Sequence, residues 1–521
     1  MFEQLAGHNH DELRRLQDES IGQFNTVQRG CFDGIMTAHA ALLDEDGGRR
    51  RVLPAGQAGR GFFFVDGPGG TGKTFLYSAV LATIRSRGRI VLAVASSGVA
   101  STLLPRARTA HSLFMIPINI RADSSCFVEK QSSRAQLLRM ADAIFWDEAP
   151  MAHRHCHEAV ERCLRDIMGN SLPWGGKIVV MGGDFRQILP VVRKGTRAQV
   201  VSACVNQSPL WREVRLLQLR INMRVLRAGM DDPHLREFCA WQMRIGNGAE
   251  EDARESSVDP LAERLVRISN DLIVAGEDPR DLINAVFPNL DAFGPNGDHE
   301  ARLSFTRRSV LAPRNDDQQS LNEDITRRVP AEEFESLSVD GTADMDSSVI
   351  YPGEFLQTLT PAWMPTHRVF LKVGAPFMLL RAINPSTGLF NGTRCLLIAA
   401  SQWVLHVEIA TGPNARQRAF VPRCKLTSSE GELPFVLTRR QFPVAPRFAM
   451  TINNAQGQTL DRVGIFLGRP VFSHGQLYVA VSRATSRQNL RFMIIGDSST
   501  QPDGSPGTCT ANTVYEEVLN G

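Results

Sequence analysis

The first half of the chain alternates two apolar patterns. Short runs at Phe62–Asp66, Ile90–Ala95, Ala143–Asp147 and Lys177–Gly182 show no polar alternation, which predicts strands buried on both faces. Between them, Thr74–Arg87 and Ala152–Met168 space their apolar residues as helices do. Strand, helix and strand in succession predict βαβ units around a parallel sheet. Around Asn247–Asp259 the chain turns acidic and serine-rich, which predicts a surface connection, and a strand-like run resumes over Ser304–Ala312. From Lys372 to Ala445 the pattern changes. Runs such as Phe377–Arg381, Arg394–Ala399 and Trp403–Ile409 are separated by Pro, Gly and Asn turns with no long helix, which predicts a small antiparallel barrel inserted into an α/β domain. Ala449–Leu460, Val463–Leu467, Ser473–Arg483 and Leu490–Ile495 restore the α/β pattern, and the tail from Ser498 reads as loose.

The 521 residues exceed one compact core and predict roughly two to four domains. With 43% hydrophobic and 22% charged residues the chain is of ordinary globular composition, which sets aside disorder, collagen and coiled coil. No apolar stretch approaches the ~18 residues of a membrane span, so no membrane partner is expected. A net charge of +3 is too small to prove a polyanion partner. Only six of the 58 basic residues are lysine, which draws attention to each of them. The nine cysteines form no CxxC pair, so they read as thiols of a reducing compartment. His153 and His157 share a helix face, but no second Cys/His pair completes a metal site.

One lysine falls in a phosphate-binding motif. Gly67-Pro68-Gly69-Gly70-Thr71-Gly72-Lys73-Thr74 follows a predicted strand and opens a predicted helix. The glycines let backbone N–H groups wrap phosphates, and the helix N-terminus favours the anion. Lys73 is placed to reach the β/γ-phosphates, and the Thr74 hydroxyl to ligate Mg²⁺. Gly67, Gly69, Gly70, Thr71, Gly72, Lys73 and Thr74 are thus the nucleotide-binding candidates. The run Ala143–Trp146 ends in Asp147-Glu148: Asp147 suits the metal shell and Glu148 the activation of a water, as a hydrolase requires. A third strand ends in Gly183-Asp184-Phe185-Arg186-Gln187, where Gln187 offers a neutral amide to sense the γ-phosphate.

With these motifs in this order, the chain resembles the petite-integration-frequency (PIF-type) DNA helicases, RecD-like members of helicase superfamily one. The resemblance runs from about Phe24 to Ile495. Phe24-Asn25-Thr26-Val27-Gln28 resembles the adenine-reading segment, which implies Gln28 as the base contact. Ser96–Ala100 and Arg108–Phe114 resemble the strand-binding segment of the first motor domain, implying Ser97 and His111 as DNA contacts, with Phe114 as either a further stacking candidate or a core residue. Leu219–Arg224 implies Arg224 as an arginine that reaches the γ-phosphate. In the second motor domain Leu311–Asn315, Gly388–Arg394, Ala449–Leu460 and His474–Arg483 are similar to family motifs. They imply Asn391, Thr451, Asn454 and His474 at DNA, Gly457 at the nucleotide and Arg483 as a second arginine finger.

The fold class expected is α/β: two RecA-like P-loop domains with a small inserted β-rich barrel. The expected organisation is an N-terminal extension (1–20), a first motor domain (21–220), a second in two parts (221–371 and 446–497), the insert (372–445) and a flexible tail (498–521). The resemblance implies an ATP- and Mg²⁺-dependent helicase that moves five-prime to three-prime on single-stranded DNA and opens forked or structured DNA in repair, recombination and telomere maintenance. A monomer in the nucleus or mitochondrion is expected, with Arg49-Arg50-Arg51 the one basic cluster, and a helicase part of a rolling-circle transposon protein stays open. One departure stands out: the family usually carries Lys-Ser where this chain has Asn454-Ala455, and a neutral amide cannot replace a phosphate-binding charge. An uncoupled single-strand-binding protein and an RNA-directed translocase therefore stay open as alternatives.

Overall fold

The computed structural model describes residues 10–43, 61–227, 232–250, 264–293, 298–343, 351–361, 364–384, 387–412, 414–428, 433–495 and 509–519. The arginine cluster Arg49–Arg51, the start of the N-terminal extension, the connection beyond residue 250 and the tail over 496–508 lie outside the described residues. The chain divides into two compact units. The first is Met1–Glu251 with Phe472–Ser482 and Asn512–Gly521, and the second is Asp252–Val471 with Arg483–Ala511.

The first unit is built on a parallel sheet of β1 (Phe62–Asp66), β2 (Val91–Ala95), β3 (Arg108–Thr109), β4 (Ala143–Asp147), β5 (Ile178–Gly183) and β6 (Arg215–Gln218), in the order β3-β2-β4-β5-β1-β6. In β1, Phe62 and Phe64 enter one core while Phe63 and Val65 enter the other. The helix Arg154–Met168 covers the first core and the helix Lys73–Ser86 the second. Burial on both faces explains the absence of polar alternation, and each such side chain contributes about 1.5–3 kcal/mol. Gly182 of β5 has a packing reason of its own. A Cβ there would lie 1.6 Å from the hydroxyl of buried Tyr77, so only glycine lets the phosphate-loop helix approach the sheet.

The first unit extends past the expected boundary at residue 220. The Met223 N–H donates to Gly70 O (2.9 Å), and Gln242 of the helix Pro233–Asn247 donates to Val481 O (2.7 Å). Residues 221–250 and 472–482 therefore pack with the first unit, although the motifs place them with the second motor domain. The C-terminal stretch corrects the expectation of a flexible tail. Its strand Cys509–Asn512 and its helix Glu516–Leu519 are held because Val518 is buried with Leu189 and Cys204, while Asn206 donates to Val518 O (3.1 Å).

In the second unit the strands are β7 (Arg264–Arg267), β8 (Arg308–Ala312), β9 (Glu333–Leu337), β10 (Val339–Thr342), β11 (Arg368–Lys372), β12 (Pro376–Leu379), β13 (Arg394–Ala400), β14 (Val404–Ile409), β15 (Arg418–Pro422), β16 (Cys424–Thr427), β17 (Leu437–Gln441), β18 (Val444–Pro446), β19 (Ala449–Thr451), β20 (Arg462–Leu467), β21 (Leu490–Ile494) and β22 (Cys509–Asn512), the last pairing with β7. A second parallel sheet, β19-β8-β20-β21, forms the α/β part. The β-rich part is antiparallel throughout: β15-β14-β13-β12-β18, the smaller sheet β10-β17-β16, and the pair β11-β9. It draws on residues 333–372 as well as the expected 372–445. The strand expected over Ser304–Ala312 begins at Arg308, because Ser304 and Phe305 close a helix (His299–Phe305) capped by Asp298. No helix among the described residues is long and apolar enough to cross a membrane.

Arg439 secures the small sheet. Its fully buried guanidinium forms a two-pronged pair with Asp340 (2.8 and 2.9 Å) and donates to the carbonyls of Leu356, Leu359 and Pro365. Arg439→Met strands a buried carboxylate and is expected to cost about 3–5 kcal/mol. Scanning calorimetry should show a lower transition temperature, with more than half of the loss recovered in Arg439→Met/Asp340→Ala.

Candidate nucleotide site

The loop between β1 and the helix Lys73–Ser86 is shaped from below. Gly70 and Gly72 hold φ of +88° and +84°, which side-chain-bearing residues rarely adopt. Gly67 N–H donates to Gly183 O (3.2 Å), tying the loop to β5. Gln28, expected at the adenine, is fully buried. Its Oε1 accepts from Asn25 N–H (3.2 Å) and its Nε2 donates to Thr71 O (3.1 Å), so it braces the phosphate loop. Thr71 is itself pinned, donating from Oγ1 to Pro68 O (2.9 Å). The Lys73 ammonium curls back onto Gly67 O. Arg224 lies along the loop: a Cβ on Gly70 would sit 3.3 Å from its Nε, and Asn222 holds its backbone N–H (3.0 Å).

Asp147 closes β4 and Glu148 follows with φ of +51°, both nearly buried. Asp147 Oδ1 accepts from Glu148 N–H (2.9 Å). Burial, and then the charge of Glu148, push the Asp147 carboxyl up to about 7, against the pull of Lys73. With the partly exposed Thr74 hydroxyl the two acids form a hard-oxygen donor set that fits Mg²⁺. Gln187 is buried, and its Oε1 has no hydrogen-bond partner among the described residues, so an amide oxygen stands ready for a ligand.

A residue to which the sequence reading gave no role organises this unit. Tyr478 donates to Asp184 Oδ2 (2.8 Å), and the Gly69 N–H of the phosphate loop also reaches its phenol oxygen. Asp184 Oδ1 accepts from Arg186 at both Nη1 (2.9 Å) and the backbone N–H (3.1 Å), and Arg186 Nε continues to Asn247 Oδ1 (2.6 Å). Both Asp184 and Tyr478 stood inside the quoted motifs. Their pairing was invisible because they lie 294 residues apart.

The strand-contact candidates divide. His111 is exposed on the helix Ala110–Phe114, whereas Phe114 on the same helix is fully buried and stacked on Trp146 at 5.9 Å; it is a core residue, and the stacking role fails. Ser97 spends its hydroxyl capping a helix turn at Ala100 N–H (3.2 Å). His474 is also corrected. It is buried, Nε2 donates to Phe185 O (2.8 Å) and Nδ1 accepts from Tyr515 N–H (2.8 Å), so both ring nitrogens hold the fold together. His157, of the tentative metal pair, is buried against Trp146 at 4.3 Å and kept neutral by that burial.

In the second unit Asn391 and Asn454 are exposed, while Thr451 is buried and accepts from Asn454 N–H (3.4 Å). Gly457 turns with φ of +80°. Arg483 is buried and donates to Gln458 O (2.8 Å) and Ala455 O (3.4 Å), bracing the turn that carries Gly457.

A glycine-rich loop after the first strand, a buried acid pair at the end of β4 and an amide after β5 define a P-loop nucleoside-triphosphatase lobe, here joined to a second α/β sheet bearing a β-rich insert. Comparison narrows the class. Residues 53–256 match the family "PIF1-like helicase" and residues 354–399 match "DNA helicase Pif1, 2B domain". It is 27% identical over 448 residues to the human ATP-dependent DNA helicase PIF1, covering 85% of this chain and 59% of that protein. It is 25% identical over 478 residues to ATP-dependent DNA helicase Pif1 of Bdellovibrio bacteriovorus, covering 90% and 92%. The chain thus spans about three-fifths of the length of the vertebrate relatives. The fold resembles that of Pif1 helicase from Candida albicans (TM-score 0.62, 18% identity, 95% and 98% covered) and of Bacteroides Pif1 bound to ssDNA (0.57, 21%, 83% and 88%).

Two predictions follow from this geometry. In Gly72→Ala the residue must hold a positive φ, and its Cβ would fall 2.6 Å from Gln28 Nε2. Nucleotide affinity should fall at least ~10-fold in a fluorescent-nucleotide titration, from about 1–2 kcal/mol of left-handed strain together with the lost brace. The second concerns pH. Asp147 binds its proton below about 7, and Mg²⁺ needs the carboxylate. Affinity for Mg²⁺-nucleotide should therefore drop about tenfold per unit below pH 7 and level off above it, and Asp147→Asn should flatten the profile in calorimetry. Without ligand the sign reverses for stability. An acid raised from 3.8 to about 7 by folding lowers the stability of the fold as pH climbs through that window.

Proposed function

We propose that the chain is an ATP-dependent DNA helicase that couples ATP hydrolysis to five-prime to three-prime movement on single-stranded DNA and to the opening of forked DNA. The observation that carries this reading is the buried Asp147–Glu148 pair beside a braced phosphate loop, in a chain whose residues 53–256 match the PIF1-like helicase family. Solved relatives described as "Pif1 bound to ssDNA" and as showing "DNA Unwinding at Forked dsDNA" support the substrate. Nuclear DNA as template, and roles in repair, recombination and telomere maintenance, rest on the resemblance alone.

In this mechanism the loop N–H groups and Lys73 hold the β/γ-phosphates. Thr74 and Asp147 would hold Mg²⁺, which when bound offsets phosphate charge. Glu148 takes the proton of the attacking water, as a buried acid beside another acid is suited to do. Arg224, already against Gly70, meets the charge that develops on the γ-phosphate. Tyr478, held by Asp184 and reached by the Gly69 N–H, fastens the segment 472–482 beside that same loop.

Asn454 favours a second reading, a strand-binding protein whose nucleotide cycle is uncoupled, because an exposed neutral amide replaces the usual cation. Mg²⁺-dependent ATP hydrolysis with and without single-stranded DNA separates the two. Stimulation of at least ~10-fold is expected, with both Lys73→Ala and Glu148→Gln losing at least ~100-fold in turnover. Tight ATP and DNA binding without stimulation would sink the helicase reading, and Asn454→Lys restoring it would locate the fault. RNA as competitor tests the choice of strand.

A further inference from the structure

The second unit treats two of its buried arginines very differently from a third. Arg439 is fully buried and fully answered, by Asp340 and three carbonyls. Arg394 is 3% exposed and has neutral partners only: the Thr306 carbonyl, Gln458 Oε1 (2.7 Å) and Met450 Sδ (3.9 Å). Arg447 is 4% exposed, and its Nε and Nη2 have no hydrogen-bond partner among the described residues. No carboxylate of the described residues pairs with either Arg394 or Arg447. Burial lowers both, Arg394 to about 10 and Arg447 to about 9, and Arg394 repels Arg447 further.

Two like charges out of water without an anion are a net cost to the fold, and a chain that keeps them needs another reason for them. Their location suggests one. Arg394 opens β13 directly after the exposed turn at Asn391, and Arg447 stands between β18 and β19, where the β-rich insert returns to the parallel sheet. Through Gln458, Arg394 also touches the turn of Asn454 and Gly457, since Gln458 Nε2 donates to Asn454 O (2.8 Å). A guanidinium fork with free N–H groups matches oxyanions, phosphate above all, in shape and charge.

We propose that Arg447 and Arg394 form a buried receptor for a phosphate-class oxyanion at the junction of the insert and the second parallel sheet. The site is separate from the phosphate loop. Its occupant is either a free phosphate or a phosphodiester of a bound strand. Only the strand arm rests on the helicase reading, and a failure there leaves the free-phosphate arm to decide.

The test uses the full chain in a Lys73→Ala background, which silences phosphate binding at the loop. Thermal unfolding is compared in phosphate and in chloride at equal ionic strength, with and without Arg447→Met. Oligo-dT affinity is then measured across a salt series. Arg447→Met is expected to melt higher than its parent in chloride, because the unanswered charge is gone, and to lose the parent's gain in phosphate. If the strand supplies the oxyanion, the log–log salt slope also shrinks by about 0.7 in the variant; an unchanged slope with the phosphate gain lost assigns the site to free phosphate. A variant that melts lower in chloride overturns the proposal. So does one that keeps both the full phosphate gain and the parent's salt slope.

Discussion

Most of the first unit depends on one buried carboxylate. Asp184, at the end of β5, takes a hydrogen bond from Tyr478 on one oxygen and two from Arg186 on the other. Its bond to Tyr478 is one of those that hold a segment nearly three hundred residues downstream against the end of β5. With it, Tyr478 meets the Gly69 N–H, Gly246 admits the tyrosine ring, and His474 closes the same region by bridging Phe185 and Tyr515. Hydrogen bonds to a charged acceptor in a dry interior are the strong kind, which suits a joint that must hold two distant stretches in register.

What could be read from the sequence divides along the range of the interactions. The phosphate loop, the acid pair and the two parallel sheets were legible because their causes are local: glycine conformations, an apolar strand that ends in acids, short runs without alternation. His474 was misjudged, and Phe114 left open between strand and core, because burial is a property of the assembled unit, and one helical turn sends His111 outward while Phe114 goes in. The end of the helix His299–Phe305 falls inside the strand-like run Ser304–Ala312, and its cap, Asp298, is a signal only once the helix is known. The tail misled through its composition. A Gly/Pro/Ser-rich stretch hid a short strand and a helix whose one apolar anchor, Val518, is buried.

Gln28 shows a further limit. A motif fixes that a residue belongs near the nucleotide without fixing how. Here the glutamine reaches its place through a capping box at Asn25 and then supports Thr71 from beneath, so it shapes the loop whatever else it touches. The lysine-poor composition likewise concentrates charge in arginine, whose fork can be satisfied completely, as at Arg439, or left open, as at Arg447.

The contact between Gly182 and Tyr77 carries an evolutionary consequence. Any side chain at 182 would run into the tyrosine hydroxyl, which itself has no hydrogen-bond partner among the described residues. The two positions can therefore be exchanged in one order only. Tyr77 must shrink first, opening a void beside the phosphate-loop helix, before 182 can grow to fill it. A lineage that starts from this pair has to cross a less stable intermediate, so the glycine is held in place by the history of its neighbour as firmly as by its own chemistry.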